Sequence, residues 1–505
     1  MPSDEFSITT RRENLDRIAR GTWDLLVIGG GITGAGAARD AALRGLRVAL
    51  VEGEDFAGGT SSRTGRMVHG GLRYLAEGHL RLVAESLAER AVLRRTVPHL
   101  VTAHQFMLPV CGSNLAMARM AAGLALYQGL ALGRAVGPAR LVSARRARSL
   151  EPLVLPPRLA GGAIYWDCLT DDARLVLALI LDAHRRGAAA INHAPVVDLL
   201  RSGNRIAGAA VRDALTGRTF EVRARAVINA TGPWSEKISA MAGRCALRLR
   251  PTRGSHIVVA RSRLKTHRAI IFSSPRDRRN LYLVPWGKHT IVGTTETDYA
   301  GDPEAVCATT EDVDYLLEAV RATFPGACLE PQDVVSTFAG VRPLLDRPGI
   351  AAYRVPRDYR VVEDPPGLIS VAGGKLTTFR RMAQDAVDLA ARSVGGAAAQ
   401  QRCRTAGVPV EPPGEKASPP VEGVLRAAKH EMAVTLCDCL IRRLRLIHEL
   451  PDQGLSVAPE AARLMAPILG WTEAERQAQI EEYLAAVAQT RRWQARLEQD
   501  DADRR

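Results

Sequence analysis

Apolar residues along the chain follow two periods. Short uniform runs mark buried strands, and runs in which they return every three or four positions mark helices. Residues 24–28 form the first strand-like run. A helix is expected over roughly 33–44, closed by Gly45, and a second strand from Arg47 ends at Glu52. Residues 1–22 read as a helical arm. From His79 to Val97 the positions Leu80, Val83, Leu87 and Ala91 have helical spacing, and Pro98 follows. A further helix is expected over roughly 171–186, with Thr170 or Asp171 as N-cap and Gly187 as stop. Residues 195–228 alternate and turn as a β-meander, leading into a strand at 226–230. Residues 251–345 read as mostly antiparallel, with a hairpin over 281–293. A strand from Leu368, a glycine loop at 373–377 and an amphipathic helix from Thr378 to Arg392 follow. Residues 394–422, rich in Gly, Ala, Gln and Pro, read as a linker. Helical spacing returns at Val434, Leu440 and Leu444 and again from Thr472 to Leu497.

A chain of 505 residues exceeds what one core serves, so two or three domains are expected. The expected divisions are a nucleotide-binding domain in three pieces (1–90, 166–245 and 363–395), a helical and basic segment (91–165), a substrate-binding domain (246–362), a linker (396–422) and a helical C-terminal domain (423–505).

Charge sharpens the choice of partners. Lys and Arg outnumber Asp and Glu by 68 to 54, a net +14, which favours anionic partners. The basic residues are scattered, with no aromatic interleaving, so nucleic acid is not expected. The eight cysteines are dispersed and form no C-x-x-C, which argues against a metal site or a disulfide scaffold. Met1 to Arg20 lacks an apolar signal core, so secretion is not expected. The longest apolar stretch, Leu115 to Leu132, is broken by Arg119 and followed by Arg134, Arg140, Arg145, Arg146 and Arg148. It falls short of the ~18–20 uncharged residues of a bilayer span. It reads first as a buried helical hairpin, and otherwise as a surface that dips into an anionic membrane face. Arg442-Arg-Leu-Arg445 is also compatible with membrane docking.

The chemistry begins between the first strand and helix. Gly29, Gly31 and Gly34 have G-x-G-x-x-G spacing, which supplies a tight turn, room for a pyrophosphate and close helix–strand contact. The helix N-terminus favours an anion there. Glu52, ending the second strand, stands where ribose hydroxyls need an acceptor. Ala230-Thr-Gly232 and Gly373-Gly-Lys375 read as later backbone approaches to the same dinucleotide, which favours an embedded cofactor over an exchanging one. In Met67-Val-His-Gly-Gly-Leu-Arg-Tyr74, two glycines beside polar side chains fit backbone lying against a flat ligand.

Together these motifs resemble the FAD-dependent glycerol-3-phosphate dehydrogenases (aerobic and membrane-associated), within the glycine-oxidase/D-amino-acid-oxidase group. The matching pieces include residues 29–36, Thr60-Ser-Ser62, His69-Gly-Gly-Leu-Arg-Tyr-Leu75, Asp171-Asp-Ala-Arg-Leu-Val176, Asn229-Ala-Thr-Gly-Pro-Trp234, Arg253-Gly-Ser-His-Ile-Val-Val259, Ile291-Val-Gly-Thr-Thr295, Gly340-Val-Arg-Pro-Leu344, Arg357-Asp-Tyr359 and Gly373-Gly-Lys-Leu-Thr-Thr378. Thr33 stands where that family often has Asn, and Gly65 and Arg66 replace its usual Ser and Lys.

The resemblance implies an α/β fold: a Rossmann-like FAD-binding domain, an antiparallel substrate domain and a helical C-terminal domain. It implies FAD as cofactor, held by Gly29, Gly31, Gly34, Glu52, Thr60, Ser61, Ser62, Gly70, Gly71, Ala230, Gly232, Gly374, Lys375, Leu376 and Thr377. It further implies oxidation of glycerol 3-phosphate to dihydroxyacetone phosphate by hydride transfer, with electrons passing to a membrane quinone. The phosphate calls for clustered cations and donors, and Arg73, Tyr74, Arg357 and Lys375 occupy the matching positions. His69 is the first choice for the base that takes the hydroxyl proton, with Arg342 stabilising the alkoxide; the two roles are exchangeable at this level. The implied location is cytoplasmic, peripheral on the inner face of the cell membrane. A homodimer is left open. The competing readings are an oxidase using O₂, another FAD-dependent hydroxy- or amino-acid oxidoreductase, and a flavin-binding scaffold without catalysis.

Overall fold

The computed structural model describes residues 5–152, 158–412 and 420–495. Two large sheets and a helical C-terminal unit make up the chain. The first sheet has parallel strands at its centre, in the order Leu368–Gly373, Thr219–Asn229, Thr22–Ile28, Val48–Val51 and Ala189–Ile191. Tyr359–Glu363 adds an antiparallel edge, and the meander Val196–Ser202 and Arg205–Arg212 pairs onto Thr219–Asn229. The strand Thr22–Ile28 is buried over its C-terminal half, as a strand covered on both faces must be.

Helix Ile32–Leu43 packs on this sheet. Its alanines 35, 37, 38, 41 and 42 are all buried, because helices Asp172–Arg185 and Phe379–Val394 flank it. Close approach is built in at Gly36, where an added Cβ would lie 3.0 Å from the Phe379 ring. Helix Phe379–Val394 buries Phe379, Met382, Ala383, Ala386, Val387 and Ala390, the spacing of one helical stripe.

The second sheet has ten strands among the described residues. Its spine is the long antiparallel pair Leu249–Ala260 and Val334–Leu345, and the expected hairpin is Asn280–Trp286 with His289–Gly293. Residues 91–165, expected to be helical, supply three strands here. Thr102–Cys111 and Arg140–Ser143 both pair with Leu159–Leu169, and Ala269–Ser273 continues the sheet onto the first of them. Proline and charge interrupt these strands locally, and their partners lie tens of residues away, so local periodicity does not register them.

The stretch expected as a buried hairpin is one helix, Asn114–Leu130, with only Leu124 and Tyr127 buried. Leu115, Leu126 and Leu132 are 60%, 47% and 75% exposed. Among the described residues no helix is long and apolar enough to cross a membrane.

The C-terminal unit has its own core, formed mainly by helices Pro420–His430, Ala458–Leu469 and Glu473–Arg491. Thr472 opens the last of these through a capping box with Glu475. The expected helix to Leu497 ends at Arg491 and passes into a tighter turn, Arg492–Gln494; residues 496–497, and residues 413–419 of the expected linker, lie outside the described residues. The described part of that linker is packed down. Arg39 donates to the carbonyls of Val408 and Pro409, and Val410 is buried and donates to Thr96 O at 2.8 Å.

The Arg442–Arg445 stretch does not face outward. Arg443 makes a fork to Asp55 at 2.6 and 2.8 Å, Arg442 reaches Asp55 and Asp438, and Arg445 reaches Asp171 and Asp172. These arginines join the C-terminal unit to the first domain, which corrects the expectation of a docking surface: a basic run signals charge but not the buried carboxylates that claim it. Asp55, His193 and Asp438 bring their ligand atoms within 4.8 Å of one another, but Arg442 and Arg443 already occupy both carboxylates.

Candidate active site

A cleft of about 220 Å³ lies between the two sheets. The loop Thr60–Met67, the short helix Leu72–Ala76, the second sheet and the turn at 374–377 form its walls. His69, Arg73, Tyr74, Arg342, Arg357 and Lys375, expected from motifs hundreds of residues apart, all line it.

The His69–Gly71 turn is held from beneath. Gly70 N–H donates to Asp167 at 3.1 Å, and Tyr127 and Arg90 also donate to that buried carboxylate. His69 N–H donates to Thr377 Oγ1 at 3.1 Å, and that hydroxyl donates back to His69 O at 3.2 Å. This pins the turn to the segment that begins helix Phe379–Val394. Gly71 has φ +80°, and a Cβ there would lie 2.4 Å from the Tyr74 ring and 3.2 Å from Lys375 Nζ. Only glycine admits that conformation and that approach.

The electrostatics are one-sided. Arg73 lies 4.8 Å and Lys375 5.0 Å from the Tyr74 ring. Arg342 donates to Thr294 Oγ1 at 2.8 Å and lies over the bare backbone of Gly254. Glu296 is the only acid among the described residues lining the cleft, and Arg357 donates to it. Lys375 Nζ, Arg342 Nη1 and Arg357 Nη1 are buried without a hydrogen-bond partner among the described residues. Burial, with Arg73 and Arg357 nearby, pushes Lys375 down to about 7. Burial and the charges of Lys375, Arg73 and Arg90 hold His69 well below the usual histidine value. His69 is therefore a neutral imidazole at pH 7. Burial favours protonation of Glu296, but Arg342 and Arg357 outweigh it and keep the group ionised.

A cradle for an extended dinucleotide lies alongside. An added Cβ would come 1.8 Å from Gly29 O at Gly34, 2.7 Å from Ala230 O at Gly29 and 3.1 Å from Ser61 Oγ at Gly31. Helix Ile32–Leu43 starts at Gly31 with no side-chain cap from that residue, and Ile32 N–H donates to Ser61 Oγ at 3.0 Å. Glu52 accepts from the N–H groups of Gly30 and Glu54 at 2.5 and 2.9 Å. Thr60 donates to Val341 O, Gly232 has φ +56°, and Gly374, Leu376 and Thr377 line the cleft. Ser62 faces a different cavity. Bare backbone at each approach and an open helix N-terminus fit a dinucleotide whose reactive end enters the cleft.

Residues 24–380 match the family described as FAD dependent oxidoreductase, and residues 413–476 match the C-terminal domain of alpha-glycerophosphate oxidase. The chain is 35% identical to glycerol-3-phosphate dehydrogenase 2 of Mycobacterium tuberculosis, over 93% of this chain and 89% of that protein. It belongs to the FAD-dependent glycerol-3-phosphate dehydrogenase family. An aerobic glycerol-3-phosphate dehydrogenase of Staphylococcus haemolyticus is 39% identical over 73% of this chain and 67% of its own. The solved glycerol-3-phosphate dehydrogenase of Bacillus halodurans, complexed with FAD, superposes with a TM-score of 0.80 at 28% identity, covering 96% of this chain and 98% of that one.

Within this glycerol-3-phosphate dehydrogenase fold, three residues of the site escape sequence reasoning. Asp167 anchors the His69 turn, Glu296 orders Arg357, and His256 lines the cleft stacked 4.6 Å from Phe338. Burial and Arg342 push His256 down to about 3, so it stays neutral. His256 and Asp167 stand inside or beside motifs already singled out, and Glu296 directly follows one. A side chain's direction is what no motif conveys.

Proposed function

We propose that this chain oxidises sn-glycerol 3-phosphate to dihydroxyacetone phosphate and passes the electrons to a membrane quinone. One observation carries the reading: neutral His69 and His256 share a cleft with five cations, Arg63, Arg73, Arg342, Arg357 and Lys375, and a single carboxylate among the described residues. When bound, FAD supplies the hydride acceptor; Gly29, Gly31, Gly34, Glu52, Ser61, Ala230 and the 374–377 turn would hold it.

Arg73, Arg357 and Lys375 bind the phosphate dianion, with Tyr74 packed beneath Arg73 and Lys375. A dianion supplies the counter-charge that these buried nitrogens lack, and its arrival raises the Lys375 pKa. His69 takes the proton from the C2 hydroxyl as its hydride leaves. Arg342, whose Nη1 has no hydrogen-bond partner among the described residues, stabilises the developing alkoxide. Glu296 holds Arg357 in place. Anaerobic mixing with glycerol 3-phosphate tests the reaction: the flavin absorbance bleaches, and a flavin that stays oxidised sinks the assignment.

The exposed apolar helix Asn114–Leu130 supports peripheral docking on an anionic membrane, with Leu115, Leu126 and Leu132 entering the interface. Steady turnover with a soluble quinone analogue and little peroxide is expected; fast peroxide production overturns the choice of acceptor.

A further inference from the structure

Helix Asn114–Leu130 lies outside the cleft, and none of its residues lines it. It buries two side chains, Leu124 and Tyr127. Tyr127 is 2% exposed, and its ring meets that of Tyr165 edge-on at 5.7 Å. Its hydroxyl donates to Asp167 Oδ2 at 2.8 Å and is the one donor to that oxygen among the described residues. Asp167 stands on strand Leu159–Leu169 and is fully buried. Its other oxygen, Oδ1, accepts from Gly70 N–H at 3.1 Å and from Arg90. The phenol oxygen also touches the turn itself, since a Cβ at Gly70 would lie 2.3 Å from it.

Gly70 follows His69. Tyr127 and Asp167 therefore hold the turn from one side, while Thr377 holds the His69 backbone from the other. A base takes a proton only when it stands ~2.6–3.2 Å from the hydroxyl. Loss of the phenol would leave Oδ2 bare in a site of low dielectric. The carboxylate would then settle around Arg90, and its hold on Gly70 N–H would loosen. Asp167 also carries charge to the floor of the site. Burial pushes Lys375 down to about 7; Asp167 and Glu85 oppose that, and Arg73 and Arg357 add to it. Neither Tyr127 nor Asp167 is among the residues lining the cleft.

We propose that Tyr127 and Asp167 are positioning residues for the oxidation. The phenol fixes the carboxylate, the carboxylate fixes Gly70 N–H, and the turn so held presents the His69 imidazole to the C2 hydroxyl. This rests on the reading of His69 as the base. One side chain of an outlying helix is thereby part of the catalytic machinery.

The test is anaerobic stopped-flow reduction of the FAD-loaded full chain by glycerol 3-phosphate. Tyr127→Phe removes the hydroxyl and keeps the ring. It should slow the limiting rate of flavin reduction roughly 10- to 100-fold, the effect of a base displaced by a fraction of its reach. The half-saturating substrate concentration and the FAD content should not change, because Arg73, Arg357 and Lys375 still hold the phosphate. Substrate deuterated at C2 should slow the variant further, which marks bond breaking as the step affected. In a His69→Ala background Tyr127→Phe should add nothing, because the two act as one unit. Asp167→Asn keeps an acceptor for Gly70 N–H and loses the charge. It should slow the same step and start the rise of half-saturation at lower pH, since Lys375 loses an opposing charge; if it misfolds, Tyr127→Phe decides. An unchanged reduction rate in Tyr127→Phe overturns the proposal. So does an equal slowing by Tyr127→Phe with and without His69, or loss of the isotope effect. If His69→Ala alone reduces its flavin at the wild-type rate, the reading of His69 as base has failed, and the proposal falls with it.

Discussion

Buried cations gather at the substrate cleft and at the seam between the first domain and the C-terminal unit, and the two places treat them in opposite ways. At the seam, Arg443 and Arg442 share Asp55, Arg174 forks onto Glu431 at 2.6 and 2.7 Å, and His193 meets Asp438 at 3.0 Å. Each charge has a counter-charge from the chain itself. In the cleft, Arg63, Arg73, Arg342, Arg357 and Lys375 face one lining acid among the described residues, Glu296, with Glu77 standing 3.7 Å from Arg73 beside it. Paired charges fix the relative position of domains; charges left short of partners hold free energy in reserve for a ligand. Composition cannot separate the two, because both are arginine-rich and buried.

The comparison breaks most sharply at His69. His69→Ala should lower kcat by roughly 10²- to 10⁴-fold, the usual worth of a general base, with FAD content and circular dichroism unchanged. Rapid-mixing kinetics checks it, and a loss below tenfold would move the proton to another group. At the seam, Asp55→Ala strands Arg443, leaves Arg442 with Asp438 alone, and should cost about 3–5 kcal/mol. Urea titration with limited proteolysis reads this as earlier release of the C-terminal unit. Arg357→Ala should lower kcat/KM for glycerol 3-phosphate roughly 10- to 150-fold, the worth of a charge-assisted contact of ~1.5–3 kcal/mol. Activity on glycerol should barely change, and equal losses for both substrates would remove the phosphate role. Glu296→Gln distinguishes loss of that contact from disorder of the cleft.

The smallest effects come with pH. Lys375 loses its charge as pH rises through about 7, so KM should climb above that pH, and Lys375→Met should flatten the profile. Burial opposes charge on His193, but Asp438 outweighs it and raises its pKa. That contribution to stability is complete below the unfolded value near 6.5 and fades as pH rises through the raised value. His193→Asn should remove this dependence from the urea midpoint.

What the sequence conveys follows from how local the information is. The strand, glycines, helix and Glu52 lie within 30 residues, and their chemistry is backbone geometry, so the nucleotide unit is legible. His69, Arg73, Arg342 and Lys375 are legible because each stands inside a motif. Strands Thr102–Cys111 and Leu159–Leu169 are not, because their pairing spans an intervening helix and their apolar alternation is weak. The arginines at 442–445 look like a surface because most of their partners, Asp55, Asp171 and Asp172, lie 273 to 388 positions away. Glu296 escapes because a carboxylate following a Gly-Thr-Thr run reads as solvent-facing until Arg357 is seen against it.

The seam also sets a timetable for synthesis. Asp55 and Arg442 are 387 positions apart, and Met432 N–H donates to Phe6 O at 2.6 Å. At ~5–20 residues per second, the first domain would wait roughly 20 to 80 s for these partners to emerge. During that interval the nascent chain carries Asp55 and Asp172 without counter-charges, together with the apolar surface that the last helices will cover. Slowing elongation after residue 395 would lengthen that interval and raise the demand for chaperones without altering one contact of the finished enzyme.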